Sequence, residues 1–171
     1  MYRFLKCYIE DKKSINSMFS IAGNYGPFRN DVSPLWDWAP HDIAMCLDIM
    51  KEFPLKIIAN FSKNEENNTQ NKSNVSINLC FKNNRFADLN IGNIMPSKIR
   101  FLKINFENNS YIFDPLNYST IQEIKGSKIS AIKTPEKLDY FDFLVTPLEI
   151  LLKEFIQDIK DARPIISDLI L

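Results

Sequence analysis

Glycine is scarce in this chain, four residues in 171, and histidine scarcer still, with one. No G-x-G-x-x-G or P-loop sequence occurs, so no glycine-rich loop cradles phosphates, and no Gly-x-Ser-x-Gly elbow presents a nucleophile. A single imidazole, without converging carboxylates or thiolates, argues against a catalytic metal site. The three cysteines, Cys7, Cys46 and Cys80, are far apart, which excludes a zinc knuckle or a Cys-x-x-Cys redox pair; each falls in an apolar pattern and reads as a small core or near-core side chain. Net charge is also lacking: 21 basic residues balance 21 acidic ones, with no like-charge block of five. Nucleic acid and membrane surfaces are therefore not expected partners. No apolar run approaches the roughly 20 residues that span a bilayer. The opening MYRFLKCYIEDKK interleaves charge with apolar residues, unlike a signal peptide. Free thiols and no targeting signal set the expectation of a cytoplasmic protein. The five Asn-x-Ser/Thr triplets (Asn67, Asn71, Asn74, Asn108, Asn117) read as chance in a chain rich in Asn.

What the chain does have is 45% apolar residues, enough for one substantial core, and one domain over 1–171 is expected. Phe4, Leu5, Tyr8 and Ile9 share a helical stripe within residues 2–12. Residues 15–22 alternate, with Ile15, Phe19 and Ile21 on one strand face. Residues 23–36 (GNYGPFRNDVSPLW) read as a long loop. A helix follows, with Asp37 as its cap, Pro40 in its first turn and Ile43, Cys46, Leu47 and Met50 as its stripe, ended by Pro54. From Leu55 to Phe113 short alternating runs are joined by turns at Asn83-Asn84 and Asn108-Asn109, where Asn tolerates positive φ. Residues 115–145 read as irregular, with one strand near 128–132, before the capping signal Thr146-Pro147-Leu148-Glu149 opens a last helix.

This order predicts an α+β fold: an open-faced, largely antiparallel (mixed) sheet with helices packed on one face. The other face, expected to carry Ile58, Cys80 and Leu102 among polar residues, is half apolar and suggests a partner surface.

Chemistry concentrates at Asp37-Trp38-Ala39-Pro40-His41. On a helix these two ionisable residues share a face one turn apart. An Asp beside a His can fix its tautomer and favour its charged form, which suits proton transfer. The same spacing also fits a capping Asp and a structural His, and spacing alone leaves both open. Tyr25, Arg29, Asp31 and Trp36 surround the pair in sequence.

The stretch NYGPFRNDVSPLWDWAPHDIAMCLDIM, with FADLNIGNIMPSKIRFLKINFENNSYIFDPLN downstream, resembles the glucose–fructose oxidoreductase/inositol dehydrogenase (Gfo/Idh/MocA) family. The resemblance spans residues 2–169. Members join a Rossmann domain that binds NAD or NADP to an open-faced α/β domain that completes the substrate site and mediates oligomerisation. This chain resembles the second domain, with both ends apparently truncated and the Rossmann domain, with its Glu-Lys-Pro lysine, missing. The resemblance implies the substrate-binding and oligomerisation part of an NAD(P)-dependent oxidoreductase acting on a sugar, polyol or nucleotide sugar. His41 would be the acid/base for the substrate hydroxyl, Asp37 its catalytic partner, and Tyr25 and Arg29 substrate contacts. No cofactor is expected to bind this chain alone, which would then be inactive by itself. The expected partners are a sugar-like small molecule, a like copy through the open sheet face, and a separate Rossmann-domain chain. The alternative is a non-catalytic interaction module or a remnant of such an enzyme.

Overall fold

The computed structural model describes residues 2–9, 15–63, 72–114, 116–117, 120–132, 152–153, 156–157 and 159–161. The first amphipathic stripe forms helix α1 (Tyr2–Ile9) and buries Leu5 and Ile9. Helix α2 spans Pro34–Met50. The strands are β1 (Ile15–Tyr25), β2 (Lys56–Lys63), β3 (Ser73–Cys80), β4 (Phe86–Gly92), β5 (Ile94–Phe106), β6 (Ser110–Phe113), β7 (Gln122–Lys125) and β8 (Lys128–Ala131). They form one sheet in the order β2-β3-β4-β1-β5-β6-β7-β8. All neighbours are antiparallel except β1 and β4. The fold is α+β with an open mixed sheet, as the order of elements implied.

Register decides which residues face the helices. Met18, Ser20 and Ala22 of β1 pair with Ala87, Leu89 and Ile91 of β4 and with Ile104, Leu102 and Arg100 of β5. Across β3, Leu79, Ile77 and Val75 continue the rows. Apart from Arg100, all of these are buried. Burying each Leu, Ile or Val of this face contributes roughly 1.5–3 kcal/mol. One sequence expectation, the face of Leu102, is thereby corrected. The inward face of β1 carries Met18, Ser20 and Ala22, while Phe19 and Ile21 lie on the open face. Helix α2 packs on β1 and β4. Leu102 faces the helices, not the open side, because it pairs with Ser20. Phe101 and Leu102 are both apolar, so sequence alternation could not set their parity.

The open face carries Phe19, Ile21, Phe86 and Phe101 among Asn78, Asp88, Asn90 and Lys103. Phe19 and Phe86 meet edge to face, with centroids 5.6 Å apart. Cys80 is half-buried here, opposite Phe86, whereas Cys46 is buried under α2. The side chain of Cys7 lies outside the described ones.

The turn at Asn83 and Asn84 has φ of 57° at both, as Asn in that position implied. Residues 122–125, read from sequence as irregular, pair as β7 between β6 and β8. The last helix is described only at 152–153, 156–157 and 159–160. Its capping signal at 146–149 lies outside the described residues. Among the described residues, no helix is long and apolar enough to cross a membrane.

Candidate functional site

Because β1 and β4 run parallel, their carboxyl ends emerge on the same edge, and a short loop leads from β1 straight into the start of α2. The loop is shorter than expected, since β1 persists to Tyr25 and α2 begins at Pro34. Its first amide, Gly26 N–H, donates to the Asn93 carbonyl at 2.9 Å, which ties the loop to the end of β4. Gly26 has φ of 68° and precedes a cis Pro27.

Helix α2 is capped by Ser33, whose carbonyl accepts from the amides of Trp36 and Asp37 at 3.0 Å each. Pro34 occupies the first helical turn, where its missing N–H costs nothing. Asp37 is therefore a first-turn residue rather than the cap, and its charge suits the positive end of the helix. Pro40 sits inside the helix, so the Trp36 carbonyl lacks its usual donor four residues on. Two prolines compete for the first-turn role in this sequence, and the earlier one takes it. The helix ends at Lys51, which is left-handed (φ 57°) and donates its amide to the Leu47 carbonyl at 2.9 Å, before Pro54 is reached.

Asp37 and His41 stand one turn apart on an exposed side of α2. Among the described residues no hydrogen bond joins them. Asp37 instead faces Arg29, whose Nη1 lies 3.5 Å from Asp37 Oδ1. Arg29 also grips Asp31 with two bonds, at 2.8 and 3.1 Å. The hydrogen bond and charge of Asp31 hold the Arg29 guanidinium above its ordinary pKa, and Arg29 in turn holds Asp31 below its own. Tyr25 is 68% exposed at the end of β1 and meets Phe28 edge to face at 5.5 Å. Lys72 Nζ lies 4.3 Å over the Phe28 ring. Ion pairing thus brings Arg29 to Asp37, and Tyr25 opens the same loop, while His41 faces solvent.

Beneath this exposed pair lies a group the sequence reading missed. Asp42 is fully buried. Ser20 of β1 donates to its Oδ1, and Arg100 of β5 donates to Oδ2 at 2.9 Å. The buried residues of α2 include Ala39, Asp42, Cys46 and Ile49, a stripe displaced from the expected Ile43 and Leu47, which are half-buried. A carboxylate at helical spacing with Ala39, Cys46 and Ile49 was the available signal. Burial, aided by the charge of Asp42, pushes the Cys46 thiol up to about 12.

Two concavities lie away from the pair. One, of about 290 Å³, is lined by Leu47, Asp48, Lys51, Glu52 and Phe53 at the far end of α2. The other, of about 450 Å³, is lined mainly by Ile21, Asn60, Asn74, Ser76, Asn90 and Met95. Neither includes Asp37 or His41. The described glycines serve close backbone approaches and turns. A Cβ on Gly23 would meet the Gly92 carbonyl at 2.2 Å, one on Gly92 would meet the Ser73 carbonyl at 2.6 Å, and Gly26 and Gly126 serve turns. Among the described residues no three His, Cys, Asp or Glu side chains gather as metal ligands.

No sequence-family model matches the chain, and no curated protein matches it. Solved structures do. A protein from Magnetospirillum magnetotacticum MS-1, provisionally described as an oxidoreductase, superposes with a TM-score of 0.73 at 23% identity, over 93% of this chain and 52% of that one. The UDP-N-acetylglucosamine 3-dehydrogenase GnnA from Acidithiobacillus ferrooxidans gives 0.70 at 15% identity, over 95% and 52%. An aldose-aldose oxidoreductase from Caulobacter crescentus gives 0.72 at 9% identity, over 96% and 51%. This chain therefore spans about half the length of the structures it matches. In fold, it resembles the C-terminal half of oxidoreductases of the Gfo/Idh/MocA type.

Proposed function

We propose that this chain forms the substrate-side half of an NAD(P)-dependent oxidoreductase acting on a hydroxyl of a sugar, polyol or nucleotide sugar. The observation that carries this reading is the placement of Asp37 and His41 one turn apart at the exposed start of α2, in a fold shared with half of several dehydrogenases. His41 takes the hydroxyl proton as the carbon is oxidised and returns it in the reverse direction. Asp37 orients the imidazole and stabilises its charged form once substrate draws the two together. Arg29, already paired with Asp37, and Tyr25 contact the substrate's remaining oxygens and apolar ring faces. A nicotinamide bound beside this surface would supply the hydride acceptor. In this reading a nucleotide-binding half supplies the wall that holds it and closes the site against water.

The open sheet face supports self-association in the same reading. Phe19, Ile21, Phe86 and Phe101 make it half apolar, with Phe86 still 39% exposed. That same face favours a second reading, a non-catalytic interaction module in which Asp37 and His41 are idle.

Calorimetry of NADH and NADPH separates the two. The chain is titrated alone and with a nucleotide-binding polypeptide of this type, followed by a screen of sugars and polyols for hydride transfer. Binding and turnover only in the combined sample support the oxidoreductase. Neither in any sample leaves the interaction module.

A further inference from the structure

Asp42 has no role in the chemistry above, yet no side chain of α2 is more completely enclosed. Taking a carboxylate out of water costs several kcal/mol unless it is paired and hydrogen-bonded. This one is held from two strands at once, by Ser20 of β1 and by Arg100 of β5 at 2.9 Å. An apolar side chain of similar volume would often serve stability as well or better, so a buried pair is weak evidence for a purely stabilising role. Its position in the helix is more informative. Asp42 follows His41 directly, and consecutive helical residues point about 100° apart. One side chain enters the core while the other faces solvent. Pro40, just before, has no N–H to give the Trp36 carbonyl, so one backbone bond of the helix is missing beside His41. The Asp42 tether thus grips the helix two residues beyond this missing bond.

We propose that Asp42, clamped between Ser20 and Arg100, is a positioning residue that fixes His41 relative to Asp37 beside the backbone bond that Pro40 lacks. The proposal rests on the Asp37–His41 reading for its functional meaning, but the tether itself can be tested without turnover. Since His41 is the only histidine, its ring gives a single unambiguous NMR signal.

Asp42→Asn and Arg100→Met are compared with Lys6→Ala, which cuts a different anchor of the same helix, the Lys6–Asp48 pair at 2.9 Å. Ring order of His41 and amide exchange along residues 36–50 are measured in the full chain. The expected result is a loss of His41 ring order and an acceleration of exchange of about tenfold or more confined to residues 38–44 in the first two variants. Lys6→Ala should leave both unchanged there. Uniform acceleration along α2, or an unmoved His41 signal in folded variants, overturns the proposal. If Asp42→Asn does not fold, Ser20→Ala removes one arm of the clamp and carries the same test. In the combined enzyme, Asp42→Asn should lower kcat about tenfold with KM nearly unchanged. Inactivity of His41→Ala with full activity of Asp42→Asn would reject the tether alone. Full activity of His41→Ala would reject the underlying reading instead.

Discussion

Arg29 pairs with Asp37 across 3.5 Å, joining the loop after β1 to the first turn of α2. The contact means that Asp37 is held by a cation of the loop rather than by His41. A substrate entering between them would meet Arg29 and Asp37 already poised as donor and acceptor.

Replacing Arg29 by Ala should therefore separate stability from binding. The side chain is half exposed, and exposed ion pairs contribute about 0–1 kcal/mol. Thermal melting should shift little. In the combined enzyme the KM for a hydroxylated substrate should rise about tenfold or more, since bonds to a charged donor contribute roughly 1.5–3 kcal/mol. An unchanged KM would remove Arg29 from the substrate contacts.

Acid should weaken the sheet through Glu123. The Tyr111 hydroxyl donates to Glu123 Oε1 at 2.6 Å, Asn109 adds a bond at 2.9 Å, and Lys125 lies 3.2 Å from Oε2. The Tyr111 bond leads in holding this carboxyl below its usual range, against the opposing effect of burial. A depressed folded pKa stabilises the fold above the ordinary carboxylate range, and that stability is lost as pH falls through the folded value. Urea midpoints followed from pH 7 to 3 should drop less steeply for Glu123→Gln than for the parent chain. Parallel curves would show that the network does not couple to folding.

Gly23→Ala should destabilise without touching the site residues. The new Cβ would sit 2.2 Å from the Gly92 carbonyl oxygen and 2.8 Å from Met95 Cγ, and only the second can yield cheaply. Overpacking of this kind costs about 1–3 kcal/mol, read as a lower urea midpoint at unchanged m-value. A neutral result would mean that β1 and β4 can spread.

Thiol labelling at pH 8 should distinguish two cysteines. Cys46 is buried with its thiol pushed up to about 12, so native protein should not label there. Cys80, half-buried on the open face, should label. If copies pair through that face, Cys80 labelling should slow as protein concentration rises. Labelling independent of concentration would argue against self-association by this surface.

Much of this architecture was legible in the sequence, and the exceptions have physical causes. Alternation located β3 and β4 correctly because Val75, Ile77, Leu79, Ala87, Leu89 and Ile91 are separated by polar residues. It did not settle which face of β1 turns inward: Met18, Ser20 and Ala22 face the helices, while Phe19 and Ile21 lie on the open side. It missed β7, whose four residues carry too short a pattern. Asp37 and His41 were visible as a spaced pair, but the start of α2 was displaced because Pro34 outcompetes Pro40 for the first turn. Asp42 was hidden because its partners, Ser20 and Arg100, are distant in sequence and brought together only by the register of β1 with β5.

The most direct test of the central claim is turnover of the combined enzyme with His41→Ala, measured as nicotinamide reduction on a sugar or polyol that the parent oxidises. Loss of a general base typically lowers the rate by about 10²–10⁴-fold, and the account predicts a fall in that range with cofactor binding intact. A variant that turns over at the parental rate would contradict it, and would leave Asp37 and His41 as a structural pair on the surface of α2.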